Sequence, residues 1–269
     1  MIESVSHEIY HAWPAINATS IKAGATSMRH MRHAMTCPRT DTPAMKWGRV
    51  LHAAVLEPAV FAAKARMFDG RRAGAAYEEA VTLAGGADWV LKPDEMADVK
   101  AIQAAIAEHS VASGLIAGSR HEVSMRWGHG AYKARVDGYH RDGTLYDYKT
   151  TSAAMPRQFA TQAASLGYHL QLAWYRFGCD MNQMPVSRVC IIAQESSAPY
   201  DLAVYEMDMD QITAAGHEAN RIVAEYEACV IAGKFPGTCP GSLPLLLPEW
   251  GAGLGETELI MEESEVRRG

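Results

Sequence analysis

Residues 121–150 read HEVSMRWGHGAYKARVDGYHRDGTLYDYKT, and apolar and polar side chains alternate along three parts of this stretch. Alternation with a period of two is typical of β-strands, because successive side chains point to opposite faces of a sheet. Glycine and polar residues at 128–130 and 140–143 have the composition of tight turns. The stretch therefore predicts an antiparallel meander with strands over 121–127, 131–139 and 144–150.

The segments on both sides of the meander have helical spacing. Upstream, capping residues and apolar periodicity predict helices over 14–36, 45–67 (interrupted near Pro58) and 93–112, with a glycine-rich loop and a poorly defined helix over 70–90. Downstream, we expect helices over 156–178 and 208–233 and strands over 186–193 and 200–207. This order predicts an α/β (α+β) fold with a mixed central sheet flanked by helices.

The length of 269 residues allows one or two domains that need no disulfide or structural metal. We expect a single domain over 1–245, with an N-terminal helical part over 1–115 and a core that contains the meander over 116–245. Residues 246–269 are rich in glutamate, and we expect them to form an acidic, flexible tail.

Composition restricts the compartment in which the protein works. No apolar run approaches the roughly 18 residues of a membrane span, and residues 1–13 lack the basic and apolar regions of a signal peptide. The five cysteines are widely spaced and form no Cys-x-x-Cys pair, which favours a reducing compartment over a cysteine metal site. We therefore expect a cytoplasmic protein without a membrane segment.

The net charge of −6 is unevenly distributed along the chain. Residues 1–72 carry ten Lys/Arg against five Asp/Glu, whereas residues 250–269 carry five Glu against two Arg. Because local fields decide what a surface attracts, the negative total does not exclude a polyanionic partner. Four basic residues of the first segment are candidates for phosphate contacts, with a solvated charged face as the alternative: Arg29, Arg32, Lys46 and Arg49.

Two aspartates fall on neighbouring strands of the predicted meander. The turn at 140–143 brings Asp137 beside Asp147, and Lys149 shares a strand face with Asp147. Converging carboxylates suit Mg²⁺ or Mn²⁺, and a lysine beside them can orient or help to deprotonate a metal-bound water. The pattern indicates metal-assisted phosphodiester hydrolysis. The short Asp-x-Lys pattern on its own also fits an exposed cross-strand ion pair.

Further residues extend this pattern in chain order. They form the set Gly48-x-x-x-His52, Glu122, Asp137, Asp147-x-Lys149 and Gln171-x-x-x-Tyr175. The set resembles the RecB/RecE branch of the PD-(D/E)xK nucleases, which includes phage recombination exonucleases. The resemblance covers about residues 8–240 and implies a restriction-endonuclease-like core. Two departures are Val136 in place of the proline of the family name, and an aspartate at 147 where glutamate is commoner.

The resemblance implies a role for each residue of the set. Four would bind the metal: His52, Asp137, Asp147 and, through its backbone carbonyl, Tyr148. Glu122 would support the metal site and Lys149 would be the catalytic lysine. Gln171 and Tyr175 would contact the catalytic site and the DNA end from the following helix.

The resemblance also implies an activity and partners. These are a Mg²⁺-dependent (or Mn²⁺-dependent) 5′-to-3′ exonuclease that acts on double-stranded DNA ends and leaves 3′ overhangs for phage-type homologous recombination. A homo-oligomeric ring of three or four subunits and a single-strand annealing protein as partner are further expectations. The chain has no Gly-x-x-x-x-Gly-Lys loop, so we expect no ATP requirement. Some relatives hold an iron–sulfur cluster, but Cys190, Cys229 and Cys239 lack its clustered spacing, so none is expected here.

Two other hypotheses fit parts of the sequence. A nuclease-like fold could bind DNA or a recombination partner without cutting, although a scaffold has no need of Asp137, Asp147 and Lys149 together. The stretch His7-Glu8-Ile9-Tyr10-His11 fits the His-Glu-x-x-His pattern of zinc peptidases. Because Pro14 ends any helix there and no clear third ligand follows, packing of this segment on the body is the favoured interpretation.

Overall fold

The computed structural model describes residues 2–3, 5–38, 40–239, 241–242 and 244–245. Its strands are β1 (Ile2–Glu3), β2 (Arg66–Met67), β3 (Val90–Leu91), β4 (Ser119–Trp127), β5 (Tyr132–His140), β6 (Thr144–Thr151), β7 (Arg188–Glu195) and β8 (Leu202–Glu206). Its α-helices are α1 (His7–Ala12), α2 (Ala18–Gly24), α3 (Met28–Thr36), α4 (Pro43–Leu56), α5 (Pro58–Lys64), α6 (Ala75–Ala84), α7 (Pro93–Glu108), α8 (Ser110–Ala117), α9 (Pro156–Ser165), α10 (Tyr168–Met181) and α11 (Met209–Ala232). All of these elements lie in one compact unit, Met1–Phe235. The expected acidic tail at 246–269 lies outside the described residues.

Six strands form one mixed sheet in the order β1-β4-β5-β6-β7-β8. Strands β4, β5 and β6 pair antiparallel, as predicted for the meander, whereas β6 and β7 pair in parallel. A parallel pair needs a long crossover connection, and α9 and α10 provide it. Strand β8 then returns antiparallel to β7, and β1 pairs with the other edge of β4. The predicted mixed sheet flanked by helices is confirmed.

The crossover between β6 and β7 differs from the prediction of one helix over 156–178. Helix α9 ends at Ser165 and α10 begins at Tyr168, because Gly167 between them has a φ of 65°. Glycine adopts this left-handed conformation without steric cost. Methylene atoms of Lys22 also lie 3.2 Å from the position that a Cβ on Gly167 would take. The break was not predicted, because helical spacing of apolar residues continues on both sides of the glycine.

The glycine-rich segment 70–90 is also more regular than predicted. It contains α6, a ten-residue helix bounded by Gly74 and by Gly85, both of which have positive φ. The two glycines therefore delimit a helix rather than disrupting it.

Helices cover both faces of the sheet. One core contains Leu145 with residues of α2, α3, α10 and α11, and the other contains Tyr146 with residues of α4, α7 and α8. Leu145 and Tyr146 are adjacent in β6 and enter opposite cores, as the pleat of a strand requires. Strand β6 is therefore the central strand, with a core on each face, and on it Asp147 is buried and Lys149 is partly buried.

Candidate metal and catalytic site

The sheet brings three acidic residues into one row. Between β4 and β5, Glu122 and Asp137 lie side by side between the pair His121–Gly138 and the pair Val123–Val136. The φ of Glu122 is 51°. In the β5–β6 pair, Gly138 faces Tyr146, so the next step of the register sets Asp137 opposite Asp147. Regular pairing of β5 with β6 stops at this step. The row therefore lies where the strands begin to separate.

Where the regular backbone pairing of β5 with β6 stops, the carboxylate of Asp137 makes the contact between the two strands instead. The backbone N–H of Tyr148 donates a hydrogen bond of 2.8 Å to Asp137 Oδ2. The side chain of Asp137 is thus fixed by the neighbouring strand rather than by solvent. A buried carboxylate with a defined orientation is suited to bind a cation.

Helix α4 delivers His52 to this row. Its Nε2 lies 3.0 Å from Asp137 Oδ2, and its Nδ1 lies 3.1 Å from Glu122 Oε1. Gly48, one turn earlier, faces Thr150 of β6, whose Oγ1 would lie only 3.3 Å from a Cβ at this position. The Gly48-x-x-x-His52 spacing therefore has a packing reason: the missing side chain lets α4 approach β6 closely enough for His52 to reach the acids.

His52, Glu122 and Asp137 form a group that fits a metal ion. Each offers one ligand atom, and the three atoms lie within 4.8 Å of one another. The two carboxylates suit Mg²⁺ or Mn²⁺, and the imidazole favours Mn²⁺. Octahedral Mg²⁺ would need further oxygen ligands. Asp147, which the resemblance gives as a ligand, lies outside this three-residue group.

Asp147 is surrounded by groups of helix α10 and by Lys149. It forms an ion pair with Lys149 Nζ through Oδ2, and Oδ1 accepts a hydrogen bond of 2.9 Å from Gln171 Nε2. The same amide nitrogen lies 3.0 Å from the Tyr175 hydroxyl. Gln171 and Tyr175 are four residues apart and so face the site from one side of the helix. The ring of Tyr168 lies 5.2 Å from Lys149 Nζ.

Charges within the site shift the pKa values of its members in opposite directions. Burial disfavours charged His52, but the carboxylates of Asp137 and Glu122 outweigh burial and raise its pKa to about 9. Burial would raise the pKa of Asp137, but the adjacent His52 and Lys149 lower it to about 2. Burial and the nearby Asp137 raise the pKa of Asp147 to about 6, against the effect of Lys149. These opposed shifts show a compact, strongly interacting ionic group.

Lys149 is held in its charged form. Burial opposes the charge, but the carboxylates of Asp147 and Asp137 raise the pKa of the ammonium above its ordinary value. Burial also raises the pKa of Tyr175, and the negative charges of Asp147 and Asp137 add to this effect. At neutral pH the site therefore presents a lysine cation and a neutral tyrosine hydroxyl.

Arg135 and Lys22 also contact residues of this site, although no sequence pattern pointed to either of them. Arg135 pairs with Glu122 and donates a hydrogen bond of 3.0 Å to Ser124 Oγ. Lys22 Nζ donates a hydrogen bond of 3.0 Å to Gln171 Oε1. Arg135 lies on the same strand as Asp137, which is a weak signal, whereas Lys22 is 149 residues from its partner and offers none.

The four basic residues predicted to contact phosphates have different surroundings. Lys46 lies 3.4 Å from an oxygen of Asp88, and Arg49 is paired with Asp41 and Asp88. The guanidinium of Arg32 lies 5.1 Å from the centre of the Phe235 ring, and Arg29 is exposed on α3. Phosphate contacts by these residues stay a prediction, and for Lys46 and Arg49 they would compete with ion pairs inside the chain.

The His-Glu-x-x-His stretch forms the short helix α1, which ends at Ala12. The Nε2 atoms of His7 and His11 lie 2.9 Å apart. In the part of the chain that the structure describes, no third His, Cys, Asp or Glu completes a metal-binding group with them. Lys133 Nζ, which is buried, donates to the backbone carbonyls of Tyr10 and Trp13 at 2.9 and 2.7 Å. The stretch therefore packs on the body of the protein.

Comparison with known families identifies the class of this fold. A family model described as a PDDEXK-like domain of unknown function (DUF3799) matches residues 19–242. The chain belongs to this family, which confirms the predicted membership of the PD-(D/E)xK superfamily. Comparison with curated proteins finds no significant match. Among the described residues, no helix combines the length and apolar character needed to cross a membrane.

Solved structures share this fold at low sequence identity. A candidate exonuclease from Eubacterium rectale superimposes with a TM-score of 0.64 at 13% identity, covering 94% of this chain and 99% of the other. An alkaline exonuclease from Laribacter hongkongensis gives a TM-score of 0.44 at 14% identity, covering 84% and 95%. A phage-related exonuclease from Haemophilus somnus gives 0.36 at 12% identity, covering 82% and 96%. At such identities the first comparison supports the fold alone.

Proposed function

We propose that this protein is a divalent-metal-dependent deoxyribonuclease. One observation carries the proposal: the acidic row of Glu122, Asp137 and Asp147 lies beside His52 and the partly buried cation of Lys149. An ion-pair network with a purely structural role does not need three acids, an imidazole and a lysine around one point. The chain also belongs to a family of PD-(D/E)xK type. The set matches what phosphodiester hydrolysis requires, namely ligands for a metal and a fixed positive charge.

The metal would be held by His52, Glu122 and Asp137, with Asp147 and the backbone carbonyl of Tyr148 as the further ligands that the family resemblance implies. A bound Mg²⁺ or Mn²⁺ supplies Lewis-acid polarisation of a phosphate oxygen and lowers the pKa of a coordinated water. The carboxylate oxygens are appropriate donors for both ions, and the imidazole is a better donor to Mn²⁺ than to Mg²⁺.

Lys149 acts through its charge and its hydrogen-bond donors. Because Asp147 and Asp137 keep it protonated, we assign it to orienting the attacking water and to stabilising the negative charge that develops on the phosphate. Gln171 donates to Asp147 from helix α10 and is itself hydrogen-bonded to the Tyr175 hydroxyl, so that Asp147 in turn holds Lys149. Arg135 fixes Glu122 in the same way from β5.

The finer activity follows the family resemblance. We propose a 5′-to-3′ exonuclease that begins at double-stranded DNA ends and leaves 3′ overhangs for phage-type homologous recombination in the cytoplasm. A ring of three or four copies around the duplex and delivery of the single strand to an annealing protein complete the proposal. A ring would turn the basic residues of the N-terminal segment inward, consistent with the uneven charge of the chain.

The test is digestion of linear duplex labelled at either the 5′ or the 3′ end, beside closed circular DNA, with Mg²⁺, Mn²⁺ or EDTA. We expect early release of the 5′ label, an intact circle and no digestion in EDTA. Lys149→Met should lose digestion, whereas Lys100→Met, at an exposed position of α7, should keep it. If the unaltered protein digests no DNA with either metal, the proposed activity is wrong.

The same assay separates the finer points. Early release of the 3′ label would contradict the proposed polarity, and a cut circle would indicate an endonuclease. Light scattering at micromolar concentration tests the ring, because a monomer would contradict it.

A further inference from the structure

Lys22 lies within hydrogen-bond distance of the acidic site from a helix that the family motifs do not include. Its Nζ is 3.0 Å from Gln171 Oε1, and Gln171 Nε2 is 2.9 Å from Asp147 Oδ1. Gln171 is buried, and Asp147 has almost no exposed surface. A chain of two hydrogen bonds therefore joins an ammonium on α2 to a carboxylate on β6.

The groups at the two ends of this hydrogen-bond chain determine the orientation of the Gln171 amide between them. An ammonium group only donates hydrogen bonds, and an ionised carboxylate only accepts them. The amide of Gln171 must therefore turn its oxygen to Lys22 and its nitrogen to Asp147. In the flipped orientation an amide oxygen would face the Asp147 carboxylate, and buried acceptors would be left without donors.

The position of Lys22 is itself well defined. Asn17 and Ser20 form a capping box that starts α2, and α2 packs against α10. The Lys22 side chain lies over Gly167, where the absence of a Cβ leaves room for it. Its ammonium is 5.8 Å from the centre of the Tyr168 ring, the ring that also faces Lys149. The side chain is thus guided toward Gln171 by the start of α10.

We propose that Lys22 is a positioning residue that locks the Gln171 amide in the orientation that donates to Asp147. The proposal rests on the proposed nuclease function only for its catalytic consequence. By holding Oδ1 of Asp147, the amide leaves Oδ2 directed toward Lys149. Lys22 therefore acts on the reaction through Gln171 and Asp147, without contacting the substrate.

The first test uses the metal-free protein and does not depend on activity. Nuclear magnetic resonance follows the side-chain NH₂ group of Gln171, assigned by its loss in Gln171→Leu. In the unaltered protein we expect slow hydrogen exchange, because this group donates to Asp147 and Tyr175. Lys22→Met should speed exchange at least tenfold, Lys22→Arg should restore protection because it also only donates, and the exposed control Lys100→Met should change nothing.

The second test is a double-mutant cycle in DNA hydrolysis with Mg²⁺. Residues that orient site groups indirectly change activity by about 10- to 100-fold. We expect Lys22→Met to lower kcat in this range with KM for DNA nearly unchanged, and to have no further effect when Gln171→Leu is already present. Circular dichroism should show the same fold for all variants.

Distinct outcomes would overturn the proposal. Unchanged Gln171 exchange in Lys22→Met, or failure of Lys22→Arg to restore protection, would show that Lys22 does not orient the amide. Additive losses in the cycle, or a raised KM with unchanged kcat, would show that Lys22 contacts DNA directly. If the unaltered protein digests no DNA, the proposed function fails, while the exchange experiment still decides the role of Lys22.

Discussion

Gly138 allows a direct test of how Asp137 is placed. The glycine follows Asp137 in β5 and faces Tyr146 across the β5–β6 pair, and the Tyr146 ring covers it. A Cβ added at this position would overlap the ring carbons of Tyr146, which has no exposed surface. Gly138 lies in regular strand and lacks a positive φ, so Gly138→Ala perturbs packing and not backbone conformation.

The expected loss of stability follows from these contacts. Overpacking of a buried site costs about 1–3 kcal/mol, and the upper part of this range applies because Gly138 is paired with strands on both sides. The lower entropy of alanine in the unfolded chain returns about 0.5–1 kcal/mol. We therefore expect a net loss of about 2 kcal/mol, which lowers Tm by roughly 4–8 °C for a chain of this size.

Urea denaturation and thermal melting of the metal-free protein measure this loss. The control is Tyr146→Leu, which removes the overlapping ring atoms. In that background Gly138→Ala should cost little, so that the double-mutant cycle gives a coupling of about 2 kcal/mol. If Gly138→Ala is neutral, or equally costly with Leu at 146, the close approach of β5 to β6 beside Asp137 is wrong.

Three further predictions concern α1, α4 and the metal. Burial lowers the pKa of Lys133 to about 8, so above pH 8 the unfolded chain binds more protons than the folded chain. Between pH 8 and 9.5 the free energy of unfolding, measured with urea, should therefore rise by about 1.5 kcal/mol relative to that of Lys133→Met. The same pH dependence in both proteins would contradict this. Gly48→Ala should weaken Mn²⁺ binding in calorimetry, because the new Cβ would lie 3.3 Å from Thr150 Oγ1. Gly216→Ala, with open space around its Cβ, should bind Mn²⁺ normally and raise the free energy of unfolding by about 0.5–1 kcal/mol. Equal Mn²⁺ affinity of the two variants would show that Gly48 is not needed for the close approach of α4 to β6. Mn²⁺ at a hundred times its Kd should stabilise the protein by about 2.7 kcal/mol, reversibly with EDTA, and no shift in Tm would exclude a metal site.

The sheet could be predicted from sequence where local pattern and structure agree. Alternation and two turns define β4, β5 and β6, because each strand has residues that enter a core on one or both faces. The break at Gly167 could not be predicted in the same way. Apolar spacing continues through it, and only the positive φ of one residue separates α9 from α10. The parallel pairing of β6 with β7 likewise depends on where the crossover helices pack.

In the site too, some residues could be predicted from sequence and others could not. Asp137 and Asp147 could be paired from the hairpin register, and the Gly48-x-x-x-His52 spacing identified a histidine that the structure brings within 3.0 Å of Asp137. Arg135 and Lys22 could not be identified, since each acts through a contact across elements and neither stands in a recognisable pattern. The grouping of the acids also depended on three-dimensional geometry: Glu122 joins His52 and Asp137 in the group that fits a metal ion, while Asp147 lies with Lys149 and Gln171.

Whether the acidic row catalyses hydrolysis is decided by the rate at which Asp137→Ala hydrolyses linear duplex DNA with Mg²⁺, measured beside the unaltered protein. Asp137 belongs to the acidic row and to the group that fits a metal ion, and its carboxylate also accepts a hydrogen bond from the N–H of Tyr148. We expect hydrolysis by the unaltered protein and a loss of at least about a thousandfold in the variant, with circular dichroism showing an intact fold. A folded Asp137→Ala protein that hydrolyses DNA at the normal rate would show that the acidic row is not the catalytic site.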